Sequence, residues 1–212
     1  MMKDIRACLR LYLVTDPHLC SAEGLENTVR HAVAGGVTMV QLRDKQATTA
    51  DRVEMARVLK NVLSGTDIPL IINDDVEAAI AADADGAHIG QGDMSAAHAR
   101  ALLGPDKILG LSCESAVAVH AVNPAIVDYL GLGPVFGTRT KPDHKQPIGF
   151  GGLAGLVALS PLPTVAIGGL TAQHRDAVRD CGADGVAVVS AICGQSDVTN
   201  AARAFSEVEL NP

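Results

Sequence analysis

The stretch that decides the fold is residues 69–90, which read PLIINDDVEAAIAADADGAHIG. Its two ends, 69–73 and 86–90, are short apolar runs with the length of buried strands, and the segment between them has helical character. Asp75 is suited to cap the start of that helix, and Asp85-Gly86 follows the helix end and leads into the next apolar run. A strand, a helix and a second strand in this order are typical of a parallel sheet.

The same alternation runs through the rest of the chain. A helical stripe of apolar residues covers 51–63, and Gly182-Ala183-Asp184-Gly185 repeats the glycine turn before a later apolar run. The predicted strands are 11–15, 39–42, 69–73, 86–90, 108–112, 128–131, 164–167 and 185–190. About eight strands, each followed by a helix, predict an α/β protein with a single (β/α)₈ TIM barrel over residues 1–212 and a barrel core from about 11 to 205.

The main alternative to the barrel is an open, doubly wound sheet. That fold would place a G-x-G-x-x-G motif after the first strand, where this chain has Thr15-Asp16-Pro17-His18. Residues 133–152 contain too many Gly, Pro and charged residues for a regular element, so we predict a long loop there. Thr171 is predicted to cap a helix that stops at Gly182.

The composition indicates a folded protein that does not act on nucleic acid or membranes. Of the 212 residues, 48% are hydrophobic and only 2% aromatic, which suits aliphatic strands covered by Ala-rich helices. The net charge of −7 disfavours nonspecific binding to nucleic acid. The apolar runs are interrupted well before the roughly 20 residues needed to cross a bilayer. Five scattered cysteines and an N-terminus without a signal-peptide core indicate the reducing cytoplasm.

Polar residues at the carboxyl ends of the strands form the candidate site, because TIM barrels place their active sites there. At the end of the second strand, Gln41 alternates with Arg43 and Lys45, so the three side chains should share one side of the chain. A glutamine with two cations would suit a phosphate or a diphosphate. A solvated strand end with ordinary surface charges explains these residues equally well when they are taken alone.

Two aspartates follow neighbouring strands and are candidate metal ligands. Asp74 follows the third strand, and Asp93 follows the fourth. Mg²⁺ prefers oxygen ligands and keeps water or phosphate oxygens in its coordination shell, so two carboxylates can suffice from the protein. Aspartates near strand ends also cap helices, a role that suits Asp75 or Ser95. The pairing of Asp74 with Asp93 therefore carries more weight than either residue.

Hydroxyl groups and glycines follow the later strands. Ser112 ends the fifth strand, either as a hydrogen-bond donor to a ligand or as a helix cap. Gly168-Gly169 and Val189-Ser190 end the last two strands, where TIM barrels repeatedly bind phosphate. A tight turn explains one of the glycines but not both loops. The long loop adds Thr138-Arg139-Thr140-Lys141, and Cys113 is expected to be a small, semi-buried side chain rather than a nucleophile.

The histidines carry less information. His88 lies inside a predicted strand and is expected to be a hydrogen-bonded core residue rather than a base. His18 and His144 lie in loops, and their roles stay open. The histidines in helical patterns, which we expect at the surface or in packing, are His31, His98, His120 and His174.

Six motifs occur in order along the chain. They are Gln41-Leu42-Arg43-x-Lys45, Ile72-Asn73-Asp74, His88-Ile89-Gly90-Gln91-x-Asp93, Gly131-x-Gly133-Pro134, Thr138-x-Thr140-Lys141 and Ile167-Gly168-Gly169. In residues and spacing this set resembles the thiamine phosphate synthase family. The resemblance extends from about Leu11 to Phe205, and the set is specific although each motif alone is not.

The resemblance implies a Mg²⁺-dependent alkyl transfer that joins hydroxymethylpyrimidine diphosphate to thiazole phosphate, giving thiamine phosphate and diphosphate. It implies that Asp74 and Asp93 bind Mg²⁺. It also implies catalytic roles for Arg43, Lys45 and Lys141, which would neutralise the leaving diphosphate. The substrate-binding residues that it implies are Gln41, Leu42, Arg43, Asp44, Lys45, Asn73, Ser112, Thr138, Arg139, Thr140, Lys141, Gly169, Val189 and Ser190. The expected partners are these small molecules, and a homo-oligomer stays open.

Two departures from the family pattern and three alternatives accompany the resemblance. Cys113-Glu114 replaces a small residue and a histidine, and Gly137 stands where proline is common. A thiazole tautomerase has the same barrel but would not need the two aspartates together with Lys45 and Lys141. A non-catalytic thiazole-phosphate binder should have lost charged groups at the diphosphate site. Pentose-phosphate epimerases share only the glycine loops.

Overall fold

Eight parallel strands close into a barrel in the computed structural model, which describes residues 4–138, 140 and 145–206. The strands are β1 (Leu11–Val14), β2 (Met39–Leu42), β3 (Leu70–Asn73), β4 (Gly86–Ile89), β5 (Ile108–Cys113), β6 (Tyr129–Leu132), β7 (Thr164–Ile167) and β8 (Gly185–Val188). They pair in sequence order, and β8 pairs with β1 to close the barrel. The predicted (β/α)₈ barrel is therefore confirmed, and the open sheet is excluded.

Helices occupy the connections between strands and cover the outside of the barrel. They are α1 (Ile5–Leu9), α2 (Leu25–Ala34), α3 (Thr49–Leu63), α4 (Val76–Ala81), α5 (Ala96–Leu103), α6 (Ala116–His120), α7 (Gly149–Leu159), α8 (Arg175–Asp180) and α9 (Val198–Arg203). A 3₁₀ turn, Ala172–His174, precedes α8. Within the described ranges, none of these helices has the length and apolar character needed to cross a membrane.

The strands bury both of their faces, which explains why they read as continuous apolar runs. Alternate residues point to opposite sides of each strand. Leu13, Val40 and Leu42 belong to the layer between barrel and helices. Tyr12 and Met39 belong to a second cluster inside the barrel. Helix α1 adds Cys8 and Leu9 to this inner cluster, so it closes the amino-terminal end of the barrel.

Side-chain caps fix several of the helix starts, and the sequence indicated two of these caps. Asp75 Oδ1 accepts a hydrogen bond from Ala78 N at 2.9 Å and caps α4. Ser95 Oγ accepts from His98 N at 3.3 Å and caps α5. Thr171 precedes the 3₁₀ turn rather than a full helical turn, and α8 ends just before Gly182. The same residue types that suggested a functional site therefore also serve local structure, as at Asp75.

The loop prediction for residues 133–152 is wrong at its end, because α7 begins at Gly149. Glycines in a helix cost conformational entropy, which is why this glycine-rich segment looked irregular. Leu153 and Leu156 of the same helix are buried against the barrel. Packing of this apolar face outweighs the poor helix propensity of the first turn.

Gly86 allows β4 to approach β5 closely, and its replacement should destabilise the barrel. A Cβ atom at Gly86 would lie 1.9 Å from the backbone oxygen of Ile108, so neighbouring backbone would have to move. We expect Gly86→Ala to lower the free energy of unfolding by about 1–3 kcal/mol, as overpacked cores do. Urea denaturation followed by circular dichroism measures this change.

Gly155→Ala is the matched control for this substitution. Gly155 lies inside α7, and no atom lies within 4 Å of the position that its Cβ would occupy. The extra methyl group should raise the stability by about 0.5–1 kcal/mol, because alanine favours helices over glycine. Equal effects of the two substitutions would contradict the close packing at Gly86.

Candidate active site

A cavity of about 180 Å³ opens at the carboxyl-terminal rim of the barrel. Its floor is formed by strand residues such as Tyr12 and His88, and its rim by the loops that follow the strands. The predicted site residues that line it are Gln41, Arg43, Lys45, Asn73, Asp74, Asp93, Ser112, Thr138, Thr140, Gly169, Val189 and Ser190. The fold thus brings together candidates that are widely separated along the chain.

The end of β2 presents alternate side chains to the cavity, as the spacing predicted. Gln41 is buried at the floor, and Arg43 and Lys45 follow it toward the rim. Two hydrogen bonds attach this segment to the end of β1: Thr15 N donates to Gln41 O at 2.9 Å, and Arg43 N donates to the Thr15 side-chain Oγ1 at 3.0 Å. Both cations therefore extend from a backbone that is held in place.

Leu42 and Asp44 are predicted substrate-binding residues whose side chains lie outside this cavity. Leu42 packs in the layer between the barrel and the helices. Asp44 Oδ1 accepts hydrogen bonds from the N–H groups of Gln46 and Ala47, and its backbone oxygen accepts from the Arg52 guanidinium. These contacts indicate that both side chains stabilise the fold: Leu42 by packing, and Asp44 by hydrogen bonds to the following turn. The remaining predicted candidates, Arg139 and Lys141, lie outside the described residues, as does His144.

Asp74 and Asp93 meet at the rim after β3 and β4. Asp93 is the neighbouring carboxylate that acts on Asp74, and Lys45 Nζ lies 3.9 Å from Asp74 Oδ2. Burial, reinforced by the neighbouring Asp93, raises the pKa of Asp74 to about 6, and Lys45 partly opposes this rise. Two carboxylates this close repel each other when both are ionised, so a cation bound between them would relieve the repulsion.

The backbone holds both carboxylates in defined positions. Asp74 adopts a left-handed conformation with φ of 62°, which costs a residue with a Cβ about 1 kcal/mol. Its N–H donates to His88 O at 2.8 Å, while Asp93 Oδ2 accepts from Gly90 N at 2.7 Å. Backbone strain at a polar residue is typical of functional sites. Among the described residues, no cluster of three or more His, Cys, Asp or Glu residues could hold a metal ion.

These two residues therefore fit one kind of metal better than others. A closed zinc site would require four protein ligands, often including Cys or His. Mg²⁺ commonly takes one or two carboxylates from the protein and completes its shell with water and substrate phosphate. The donor set of Asp74 and Asp93, beside two cations that suit phosphate, matches the second pattern.

Hydroxyl groups line the opposite side of the rim, after β6 and β8. Thr138 Oγ1 lies 2.9 Å from Thr140 Oγ1 and accepts a hydrogen bond from Thr140 N at 3.3 Å. Ser190 lies next to Val189 at the end of β8, and its backbone oxygen accepts from Gln195 Nε2 at 2.8 Å. This side of the cavity offers neutral donors where the other side offers charges.

Gly168 and Gly169 have a packing role in addition to their place at the cavity. Both have positive φ, 104° and 61°. A Cβ atom at Gly168 would lie 2.5 Å from Pro134 Cβ, and one at Gly169 would lie 2.6 Å from Gly137 O. The two glycines thus allow the segment after β6 to cross directly over the end of β7. The segment after β6 can pack against the end of β7 only because both positions are glycine, so a tight turn after β7 does not by itself explain the two glycines.

The sequence interpretation missed two tyrosines at the floor. Tyr12 and Tyr129 are fully buried inside the barrel, and their hydroxyl oxygens lie 2.9 Å apart. His88 is a hydrogen-bonded core residue, as predicted, but it also lines the cavity. The available signal was composition: these are the chain's two tyrosines, and each lies in a predicted strand.

Cys113 is fully buried rather than semi-buried, and its thiol should be unreactive. Burial, with a contribution from the charge of Glu114, raises the pKa of Cys113 to about 11. At pH 8 only about one thiol in a thousand would then be ionised, and the thiolate is the reactive form. We expect iodoacetamide at pH 8 to label the partly exposed Cys181 before Cys113, as measured by peptide mass spectrometry.

Unfolding in urea provides the control for this labelling. All five cysteines should then react at similar rates, because burial no longer protects any of them. Labelling of Cys113 in the folded protein as fast as in urea would contradict a buried, protonated thiol. It would also reopen the case for Cys113 as a nucleophile.

Comparison with known proteins assigns a family to this fold and cavity. The family model described as thiamine monophosphate synthase matches residues 11–192. Thiamine-phosphate synthase of Xanthobacter autotrophicus is 55% identical over 203 residues, covering 95% of this chain and 96% of the relative. The enzyme of the same name from Azorhizobium caulinodans is 50% identical over 200 residues, with 94% of each chain covered.

A solved structure agrees with these relatives. Thiamine phosphate pyrophosphorylase from Pyrococcus furiosus superposes with a TM-score of 0.87 at 34% identity, covering 96% of both chains. The family model spans most of the chain, including every strand of the barrel. The chain therefore belongs to the thiamine monophosphate synthase family and is an enzyme, a transferase that makes thiamine phosphate.

Proposed function

We propose that this enzyme joins hydroxymethylpyrimidine diphosphate to thiazole phosphate in the cavity at the carboxyl ends of the strands. The observation that carries the proposal is the division of the rim. Carboxylates and cations after β2, β3 and β4 face hydroxyl groups and glycines after β6, β7 and β8. The charged side suits a diphosphate with its metal, and the neutral side suits a second, smaller phosphate.

The reaction requires charge neutralisation more than proton transfer. A bond forms between the thiazole nitrogen and the exocyclic carbon of the pyrimidine, while the bond from that carbon to the diphosphate oxygen breaks. The electron pair of the broken bond leaves with the diphosphate. A neutral aromatic nitrogen carries no proton to remove, so no general base is needed. The enzyme's task is to stabilise the negative charge that develops on the leaving group.

Arg43, Lys45 and Lys141 are the residues that we propose for this task. Arg43 and Lys45 extend into the cavity from the anchored end of β2, which supports a role in holding the diphosphate. Lys45 also lies beside Asp74, so one cation would connect the metal site and the leaving group. The role of Lys141 rests on the family resemblance. Because charges placed in advance need no reorganisation during the reaction, fixed positions favour catalysis.

We propose Asp74 and Asp93 as the ligands of Mg²⁺. The ion would supply Lewis-acid stabilisation of the leaving diphosphate. The raised pKa of Asp74 supports this proposal. Burial and the neighbouring Asp93 carboxylate both disfavour the ionised form of Asp74, and a bound cation would offset both effects. The hydrogen bond from Gly90 N orients the Asp93 carboxylate before any ligand arrives.

The remaining predicted residues divide between the two substrates. Gln41, Asn73 and Ser112 would bind the pyrimidine diphosphate, with Leu42 and Asp44 contributing through their backbone because their side chains point elsewhere. On the other side, the thiazole phosphate would contact Thr138, Thr140, Gly169, Val189 and Ser190. The family resemblance also implies Arg139 as a substrate-binding residue. Holding both reactants in one cavity converts a reaction between two free molecules into one within a complex.

The setting of the enzyme follows from the same proposal. Cys20, Cys113, Cys181 and Cys193 form no disulfide within the described part of the chain, which supports a reducing compartment such as the cytoplasm. Sedimentation of the purified protein decides between a monomer and a homo-oligomer.

A product assay tests the reaction directly. We expect the protein, mixed with both substrates and Mg²⁺, to release one diphosphate for each thiamine phosphate formed, as measured by chromatography. Chelation of Mg²⁺ should abolish product formation, and added Mg²⁺ should restore it. Binding of thiazole phosphate without any product would instead support a non-catalytic binder.

Asp93→Asn tests the metal site with little change of shape. The asparagine oxygen can still accept the hydrogen bond from Gly90 N, but the negative charge is lost. We expect kcat/KM to fall by about 100-fold or more, because a metal ion contributes several kcal/mol to stabilising the transition state. The Mg²⁺ concentration needed for half-maximal activity should rise as well.

Asp106→Asn is the matched control, because it removes the same charge from an exposed residue away from the cavity. This variant should keep the parent's activity and Mg²⁺ dependence. An Asp93→Asn enzyme with unchanged kcat/KM and unchanged Mg²⁺ dependence would remove Asp93 from the proposed metal site.

A further inference from the structure

A chain of hydrogen bonds crosses the floor of the barrel between two cavity residues, Gln41 and Ser112. Gln41 Nε2 donates to the Tyr12 hydroxyl at 2.7 Å, and the Tyr12 and Tyr129 hydroxyl oxygens are 2.9 Å apart. His88 Nδ1 lies 2.9 Å from the Tyr129 hydroxyl, and His88 Nε2 lies 2.9 Å from Ser112 Oγ. Five side chains from five strands are thus linked beneath the cavity; below they are called the floor chain.

The floor chain is buried, so its links are stronger than they would be in water. Tyr12 is 1% exposed, Tyr129 0% and His88 8%. Burial raises the pKa of Tyr12 and of Tyr129 above the usual range for tyrosine, so each hydroxyl keeps its single proton at neutral pH. A buried hydroxyl without a hydrogen-bond partner is costly, so every hydroxyl proton of the floor chain needs an acceptor.

The number of protons available determines the direction in which the hydrogen bonds of the floor chain run. Tyr12 already accepts from Gln41, so its own proton goes to Tyr129. The Tyr129 proton then goes to His88 Nδ1, and a neutral His88 carries its proton on Nε2. His88 Nε2 donates to Ser112 Oγ, so the Ser112 proton is turned away from the chain. In the opposite direction, the buried Tyr12 proton would point at Gln41 Nε2, an amide nitrogen that donates and does not accept.

The backbone around the floor chain is shaped to accommodate it. A Cβ atom at Gly110 would lie 2.2 Å from Tyr129 Cζ and 2.4 Å from His88 Nδ1. Gly110 pairs in register with His88 on one side and with Tyr129 on the other. A Cβ at Gly131 would lie 3.1 Å from His88 Cε1. Glycines on β5 and β6 therefore leave room for the Tyr129 and His88 rings of the floor chain.

We propose that Tyr12, Tyr129 and His88 are positioning residues that hold the Ser112 hydroxyl as a hydrogen-bond donor toward the cavity. The proposal rests on the proposed function, in which Gln41 and Ser112 contact the pyrimidine. An aminopyrimidine ring has nitrogen acceptors along its edge, and a serine that is already accepting from His88 Nε2 presents its proton to such an acceptor. The floor chain thereby selects the orientation of the ring.

A double-mutant cycle separates positioning from a general structural role. Tyr129→Phe keeps the ring but removes the hydroxyl, and we expect it to lower kcat/KM for the pyrimidine diphosphate by about 10-fold, the value of one hydrogen bond. The KM for thiazole phosphate should not change. In a Ser112→Ala background, adding Tyr129→Phe should cost less than about 3-fold, since the residue through which Tyr129 acts is then missing.

Controls make every outcome informative. Thr28→Val removes another buried hydroxyl, whose hydrogen bond to Gly24 O is 2.9 Å long, and it should leave kcat/KM unchanged. Tyr12→Phe repeats the cycle one link farther away if Tyr129→Phe does not fold. Multiplicative losses in the cycle, or an equal rise in both KM values, would overturn the positioning role while leaving the synthase activity in place. A parent protein without synthase activity would overturn the proposed function and this inference together.

Discussion

Closure of the barrel is the constraint on which the rest of the structure depends. Each strand forms hydrogen bonds with a neighbour on both sides, and all pairs are parallel. The carboxyl ends of the strands must then gather at one rim, whatever their separation along the chain. This is why Gln41 and Ser190 line one cavity. The chemistry at the rim, charged on one side and neutral on the other, is therefore a consequence of strand order.

Much of the fold could be predicted because the strands are buried on both faces. Such strands are continuous apolar runs, so the predicted bounds of β2 and β7 agree with the structure, and the other bounds differ by at most two residues. The alternation along β2 placed Gln41 and Arg43 on one side correctly, since side-chain direction has a period of two residues. Local rules of this kind require no knowledge of the rest of the chain.

The rest of the site depends on contacts between distant residues or on backbone conformation. Tyr12 and Tyr129 are 117 positions apart, so no local pattern could join them. Asp44 looks like a polar neighbour of two cations, and only the structure shows that its carboxylate caps the following turn. The first turn of α7 was missed because tertiary packing outweighs the low helix propensity of its glycines.

Helix α1 determines the end of the barrel through which substrates enter and the product leaves. Cys8 and Leu9 of this helix pack against the inner apolar cluster and close the amino-terminal end of the barrel. Molecules therefore enter and leave the cavity through the carboxyl-terminal end. A reactant that occupies the floor near Gln41 must pass the rim before anything else fills it. On the proposed binding of the pyrimidine at this floor, the deeper reactant would enter first, and the joined product would leave along the path by which its parts came in.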